Sequence, residues 1–187
     1  MRLFPIAAAL SLAACGTVQS TQYFVLPDSR YIRPATQGGE TAVEVRLAEP
    51  LKRGGLVYQT DPYRLNTAQN HVWADTLDDM LEAALSNAFN RLDSTRIFVP
   101  ASRSGSTEKW TVYIDAFQGS YTGKTLISGY AVLPDGTNRP FHIETEQQGD
   151  GYAAMTAALE QGLKQAAQHL ISGYAVLPDG TNRPFHI

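Results

Sequence analysis

The sequence has one cysteine among its 187 residues, at position 15. A single cysteine cannot close a disulfide within the chain, and it cannot form a cysteine-based metal site. The four histidines, at positions 71, 142, 169 and 186, do not fall at the short spacings typical of metal ligands. A folded domain of this composition must therefore be held together by its hydrophobic core.

The sequence also lacks a local motif that would present a catalytic nucleophile, such as Gly-x-Ser-x-Gly. We therefore predict that the protein is not an enzyme and has no catalytic residues, no metal site and no dissociable cofactor. A lipid-anchored hydrolase is the enzyme alternative, and it would need a nucleophile that no motif marks.

The sequence also has no excess of positive charge. The chain has 15 Lys and Arg against 18 Asp and Glu, a formal net charge of −3. Loss of Arg2 with a signal peptide would leave 14 basic against 18 acidic residues, a net charge of −4. This balance argues against nucleic acid or an anionic headgroup surface as the main partner.

The only long apolar run is short for a membrane span. It extends from Leu3 to Leu12 behind Arg2, and about ten residues form a helix of only about 15 Å. Ala13-Ala14-Cys15 follows, and the whole segment resembles a bacterial lipobox. The alternative is an ordinary signal peptide with a chance cysteine.

The lipobox implies that residues 1–14 are a lipoprotein signal peptide and that Cys15 carries diacylglycerol and an N-acyl chain, palmitate among the expected acyl groups. Residues 15–22 would then be the acylated cysteine and a short tether. Three acyl chains exceed the two signals needed for stable anchoring. Gly16 replaces the Asp that usually retains lipoproteins at the inner membrane, so we expect an outer-membrane location.

Hydrophobic periodicity predicts an α+β fold. Strands are predicted at residues 23–26, 42–47, 56–59, 63–66, 97–99, 110–121 and 125–133 and through 141–145. Helical spacing follows Asp75 as far as Leu92, and again follows Asp150 as far as Leu170. We expect an antiparallel sheet with two main amphipathic helices packed on one face, in a single domain over residues 23–170.

Three carboxylates, Asp78, Asp79 and Glu82, fall early in the first predicted helix, behind Asp75 as a plausible N-cap. They can be interpreted as a metal or acid–base cluster. The positive N-terminal end of the helix dipole accounts for them without a ligand, and we favour that interpretation.

Residues 126–143 and 170–187 are the same eighteen residues, LISGYAVLPDGTNRPFHI. Two copies do not make a repeat array, which normally needs at least three units. One explanation is a recent duplication or a sequence error that replaced the natural end, leaving 171–187 as a duplicated tail. The other is an extra hairpin that adds to a sheet edge of its own or of a neighbouring molecule.

Asn70-His71-Val72-Trp73 is a polar stretch with a large aromatic residue just before the first predicted helix. Trp73 can act as a hydrophobic staple on that helix. The alternative is that Trp73 and His71 contact a partner.

Several segments together resemble the ABC-transport auxiliary lipoproteins, in particular those of paraquat-inducible intermembrane transport systems. They are Tyr23-Phe24-Val25-Leu26-Pro27, residues 55–60, residues 70–74 leading to Leu77-Asp78, residues 117–124, Arg139-Pro140-Phe141, and Asp150-Gly151-Tyr152 with Met155. They run in the expected order from Cys15 to about Leu170, and the tail is the departure.

The resemblance implies a lipoprotein at the periplasmic face of the outer membrane. It implies an MCE-family tunnel protein, similar to PqiB, as partner, and a homo-oligomeric ring that docks on or caps the lipid tunnel. Such a subunit would contribute to membrane integrity without being an enzyme. The alternative function is a stand-alone periplasmic lipid carrier or chaperone with its own apolar pocket between helices and sheet.

Overall fold

The computed structural model describes residues 20–35, 38–176 and 182–184, of which 174–176 and 182–184 are described by their backbone alone. The predicted signal peptide and Cys15 lie outside these residues. The strands are β1 (Gln22–Phe24), β2 (Gly39–Leu47), β3 (Gly55–Asp61), β4 (Arg64–Trp73), β5 (Arg96–Pro100), β6 (Lys109–Gly119), β7 (Lys124–Val132), β8 (Asn138–Glu146), β9 (Tyr174–Val176) and β10 (Asn182–Pro184). The helices are α1 (Leu77–Leu92) and α2 (Gly151–Ser172), with 3-10 turns at Glu49–Arg53 and Ala101–Arg103.

The strand β6 lies at the centre of an eight-stranded sheet. Its residues Trp110, Val112 and Ile114 alternate with exposed or half-buried ones and are at most 4% exposed. On one side β6 pairs antiparallel with β7 along most of its length, from Thr111 to Gly119. On its other side it pairs parallel with β2 and then, at Gly119, with β3.

The sheet is mixed, which corrects the predicted antiparallel arrangement. The meander β6-β7-β8 is antiparallel, as is the β3-β4 hairpin. The pairs β1-β4, β2-β5, β2-β6 and β3-β6 are parallel. Alternation of apolar residues marks each strand but carries no information on pairing direction. Parallel neighbours are far apart in the sequence, as β2 and β5 are, with β3, β4 and α1 between them.

The α+β class and the two main helices are confirmed. Helix α1 packs on β2 and β5, α2 packs on β7 and β8, and the helices contact each other. The core between them and the sheet is filled by large side chains that are at most 1% exposed, including Phe89, Phe98, Phe117, Leu81, Leu85, Leu159 and Leu170. The opposite face of the sheet carries Tyr113 and Tyr130, whose rings stack at a centroid distance of 4.6 Å.

Glu82 has a different role from the predicted one. Its side chain is buried, only 7% of the residue is exposed, and its Oε1 accepts a hydrogen bond of 3.0 Å from the backbone N–H of Val45 in β2. Burial raises the pKa of the Glu82 carboxyl, while backbone N–H groups of Val45 and Ser102 oppose the rise. Glu82 therefore ties α1 to the sheet, and only Asp78 and Asp79 remain as exposed acids of the first turn.

The two copies of the repeat begin with different structures. Leu126 to Gly129 belong to strand β7, whereas Leu170, Ile171 and Ser172 form the last turn of α2, with Gly173 in the left-handed region as its C-cap. The predicted domain end at 170 thus falls inside the helix. Beyond it, β9 and β10 pair in the register of the first copy, with Tyr174 opposite Pro184 as Tyr130 is opposite Pro140.

Gly162 sets the distance between α2 and the sheet. A Cβ at this position would lie 2.9 Å from Thr145 Oγ1 and 3.0 Å from Ile127 Cδ1. Both neighbours are buried, so the helix approaches β7 and β8 more closely than a side chain would allow.

We expect Gly162→Ala to destabilise the domain. Overpacking a filled core costs about 1–3 kcal/mol, and the helix-propensity gain of about 1 kcal/mol offsets only part of it. Gly105→Ala is the control, because a Cβ there meets nothing within 4 Å. Urea unfolding should show a lower midpoint for Gly162→Ala alone, and an unchanged or raised midpoint would show that α2 has room to move away.

Glu82 should also make stability depend on pH. Because its folded-state pKa is raised, its favourable contribution is complete below the unfolded-state value and is lost as the pH rises through the folded-state value. The amide of the variant Glu82→Gln does not ionise, so this protein does not lose stability at position 82 as the pH rises. The difference in unfolding free energy between the two proteins should therefore shift in favour of Glu82→Gln from pH 4 towards neutrality. Parallel pH profiles in denaturant titrations would contradict the assignment.

Candidate docking surface

The first turn of α2 meets strand β4 in a shallow groove. Among the described residues, β1 pairs with β4 from His71 to Trp73, and the groove lies along the part of β4 that precedes this pairing. The groove has a volume of about 400 Å³. This groove, called here the edge groove, is lined by Tyr58, residues 66–71 and Tyr152.

Four aromatic rings from three separate parts of the chain meet at the end of this groove. The rings of His71 and Tyr152 stack at 4.0 Å between centroids, with 26° between their planes. Tyr58 meets Tyr152 edge-on at 5.9 Å, and Phe24 lies 5.9 Å from His71. This aromatic cluster joins β1, β3 and β4 to the start of α2, which fixes the shape of the groove.

Three rings of the cluster carry polar groups: the hydroxyls of Tyr58 and Tyr152 and the imidazole nitrogens of His71. Burial and the neighbouring Tyr58 raise the pKa of Tyr152, so its hydroxyl stays protonated at neutral pH. Aromatic rings with a hydroxyl or imidazole at one end are well suited to protein interfaces, because they combine apolar contact area with a hydrogen-bonding tip.

A second cleft lies beside the edge groove, at the end of the sheet where β6 stops. It has a volume of about 370 Å³. Its lining, called here the pole cleft, consists of Tyr58, Gln59, Thr60, Gly119, Ser120, Tyr121, Gln147, Gly151, Tyr152 and Met155. Tyr58 and Tyr152 line both cavities and separate them.

The two residues predicted as partner contacts lie in different environments. Trp73 is 6% exposed and packs against Phe117, with 5.9 Å between the ring centroids, so its side chain belongs to the core. His71 is half-buried and reaches the edge groove. A partner-binding role for either residue stays a prediction, and His71 is the one that a partner can reach.

Sequence reasoning missed Tyr58 and Tyr152 as site residues. Both belong to segments that carry the family resemblance, residues 55–60 and 150–152, which are about ninety positions apart. Parts of the segments 55–60, 117–124 and 150–155 line the pole cleft together. Their place in segments that resemble the family was a usable signal, but only the fold shows that these segments meet.

The described residues contain no group of three or more His, Cys, Asp or Glu side chains placed to hold a metal ion. Within the same residues, no helix has both the length and the hydropathy needed to cross a bilayer. The lining of the two cavities, as far as the structure describes it, is made of tyrosine, amide, hydroxyl and small apolar groups with His71.

Comparison with known proteins gives a consistent result. The family model for the ABC-type transport auxiliary lipoprotein component matches residues 32–170. The intermembrane transport lipoprotein PqiC of Escherichia coli K12 is 32% identical over 163 residues, covering 81% of this chain and 86% of the relative. PqiC of Shigella flexneri matches to the same extent.

Two crystal structures share the fold. An uncharacterized protein is 27% identical, with a TM-score of 0.69 over 82% of this chain and 97% of its own. A Xanthomonas campestris protein is 18% identical, with a TM-score of 0.61 over 80% and 92% of the two chains, and shows the fold alone. The family match and the curated relatives agree, and the chain belongs to the ABC-type transport auxiliary lipoprotein family.

Proposed function

We propose that this protein is a non-enzymatic lipoprotein, anchored through acylated Cys15 at the periplasmic face of the outer membrane. It serves as a subunit of an MCE-type intermembrane lipid-transport system and docks on or caps the lipid tunnel, as part of a homo-oligomeric ring. The observation that carries the proposal is the similarity to intermembrane transport lipoproteins over 81% of the chain. The lipobox at Cys15 supports the anchor.

The edge groove supports a docking role. A surface groove that combines an aromatic cluster with amide side chains suits a protein interface, because the rings provide apolar contact area and the amides provide hydrogen bonds. Gln69 is exposed in this groove, and His71 and Tyr152 are half-buried in it. We assign the contact with the tunnel protein to this groove.

The packing weighs against the alternative of a lipid carrier. Such a carrier needs an apolar cavity between helices and sheet, and that space is filled by side chains such as Phe89, Phe117 and Leu159, all at most 1% exposed. The edge groove and the pole cleft are both open surface features rather than enclosed chambers.

Blocking the edge groove should weaken partner capture. Gln69 is exposed on β4 and lines the groove, so Gln69→Arg places a long charged side chain there without disturbing the core. We expect detergent-extracted Gln69→Arg to bind an MCE-family subunit at least about tenfold more weakly than wild type, about 1.4 kcal/mol.

The control is Gln161→Arg, which adds the same charge on an exposed position of α2. It should capture the MCE-family subunit as well as wild type does. Equal binding of both variants would remove the groove from the proposal. A wild-type protein that extracts as a monomer with stoichiometric phospholipid and no partner would favour the carrier instead.

The sorting position offers a separate test of location. Gly16→Asp should move the protein from the outer to the inner membrane, because an acidic residue directly after the acylated cysteine acts as the retention signal. Ser20→Asp introduces the same charge further along the tether and should leave the location unchanged. Membrane fractionation on a density gradient distinguishes them, and an unmoved Gly16→Asp protein would refute the sorting argument.

A further inference from the structure

The direction of β1 shows on which side of it the preceding residues Ser20 and Thr21 lie. Strand β1 is parallel to β4, with Gln22 opposite His71 and Phe24 opposite Trp73. Strand β4 begins at Arg64, at the tip of the β3-β4 hairpin. Thr21 and Ser20, which are both exposed, therefore lie on the side of Gln22 that faces this tip.

The length of the tether limits the distance between the anchor and β1. Gln22 is seven positions after Cys15, as His71 is seven positions after Arg64. Seven extended residues span at most about 25 Å. A bilayer that holds acylated Cys15 must lie within this reach of β1, which is also about the distance from His71 to the hairpin tip.

Three of the large hydrophobic side chains that are exposed in the described residues lie at this end, called here the anchor pole. Tyr63 at the hairpin tip is 95% exposed, and Leu65 beside it is 43% exposed. Tyr121, in the turn between β6 and β7, is 52% exposed and lines the pole cleft with the hairpin residues Gln59 and Thr60. Tyrosine is enriched where one end of a side chain meets hydrocarbon and the other meets water.

The hairpin holds Tyr63 in a defined position. The Tyr63 backbone N–H donates to Asp61 Oδ1 at 2.8 Å, and Asp61 also pairs with Arg64 at 3.3 Å. Asn66 Nδ2 donates to Thr60 Oγ1 across the hairpin at 3.1 Å. A hairpin braced in this way presents its exposed aromatic residue at little entropic cost.

We propose that the anchor pole rests on the membrane, with Tyr63 and Tyr121 in the interfacial region of a phospholipid bilayer. The proposal rests on the proposed function, because it needs the lipid on Cys15. Asp61, Glu144, Glu146 and Asp150 outnumber Arg64 and Lys124 at this end of the sheet and the start of α2, so the bilayer it fits is zwitterionic rather than anionic.

The contact sets the orientation of the domain on the membrane and contributes little to its membrane affinity. The acyl chains supply the affinity, and the tyrosines fix which end faces the lipid. The edge groove, which runs along the side of β4, is then held beside the membrane surface.

The test uses the full acylated protein with a fluorescent probe at the hairpin tip. With Cys15 acylated, Tyr63→Cys gives the mature chain one reactive thiol, which is labelled with the environment-sensitive dye NBD. Asn138→Cys, exposed at the opposite end of the sheet, is the matched control. Both proteins are reconstituted in phosphatidylcholine vesicles that contain nitroxide-labelled lipids.

We expect blue-shifted emission from position 63 and several times stronger quenching by the nitroxide lipids than from position 138. Unchanged thermal melting verifies the fold of each labelled protein. Protein that floats with the vesicles but is quenched equally at both positions would overturn the membrane contact and leave the anchor intact. Protein that does not float at all would overturn the anchor, the proposed function and this inference together.

Discussion

The pairing of β6 on both sides is the constraint on which the rest of the structure depends. One side carries the β7-β8 meander, and the other is divided between β2 and β3, which follow one another along it. Strand β6 is therefore shared by two parts of the sheet. The part with β2 and β5 packs against α1, while the part with β3 and β4 ends in the β3-β4 hairpin, the pole cleft and the edge groove.

Both helices and most strands could be predicted from the sequence because burial on one face repeats with a local period. Strand direction could not, since it depends on crossovers between distant segments. Glu82 shows a second limit: an acid in the first turns of a helix suits the dipole, and only the neighbouring Val45 N–H reveals that it is buried. Of the candidate site, His71 was predicted, whereas Tyr58 and Tyr152 needed the fold to bring them together.

The duplicated segment demonstrates how far tertiary context decides local structure. Leu126-Ile127-Ser128 is a strand between β6 and β8, and the same three residues at 170–172 complete a helix. Leu170 is fully buried at the end of the apolar stripe of α2, and Arg139, from the first copy, contacts its carbonyl oxygen. The intrinsic propensity of these three residues is the same in both copies, so packing must decide between strand and helix.

The topology gives the domain two distinct ends. The hairpin tip, the end of β6 and the start of α2 lie at the anchor pole, while the end of α2 and the β7-β8 turn lie at the other. Because α2 runs from one end to the other, β9 and β10 follow from the end opposite the anchor pole. In the proposed arrangement, the lipid anchor and the edge groove therefore act on one end of the domain, and the duplicated segment continues from the other.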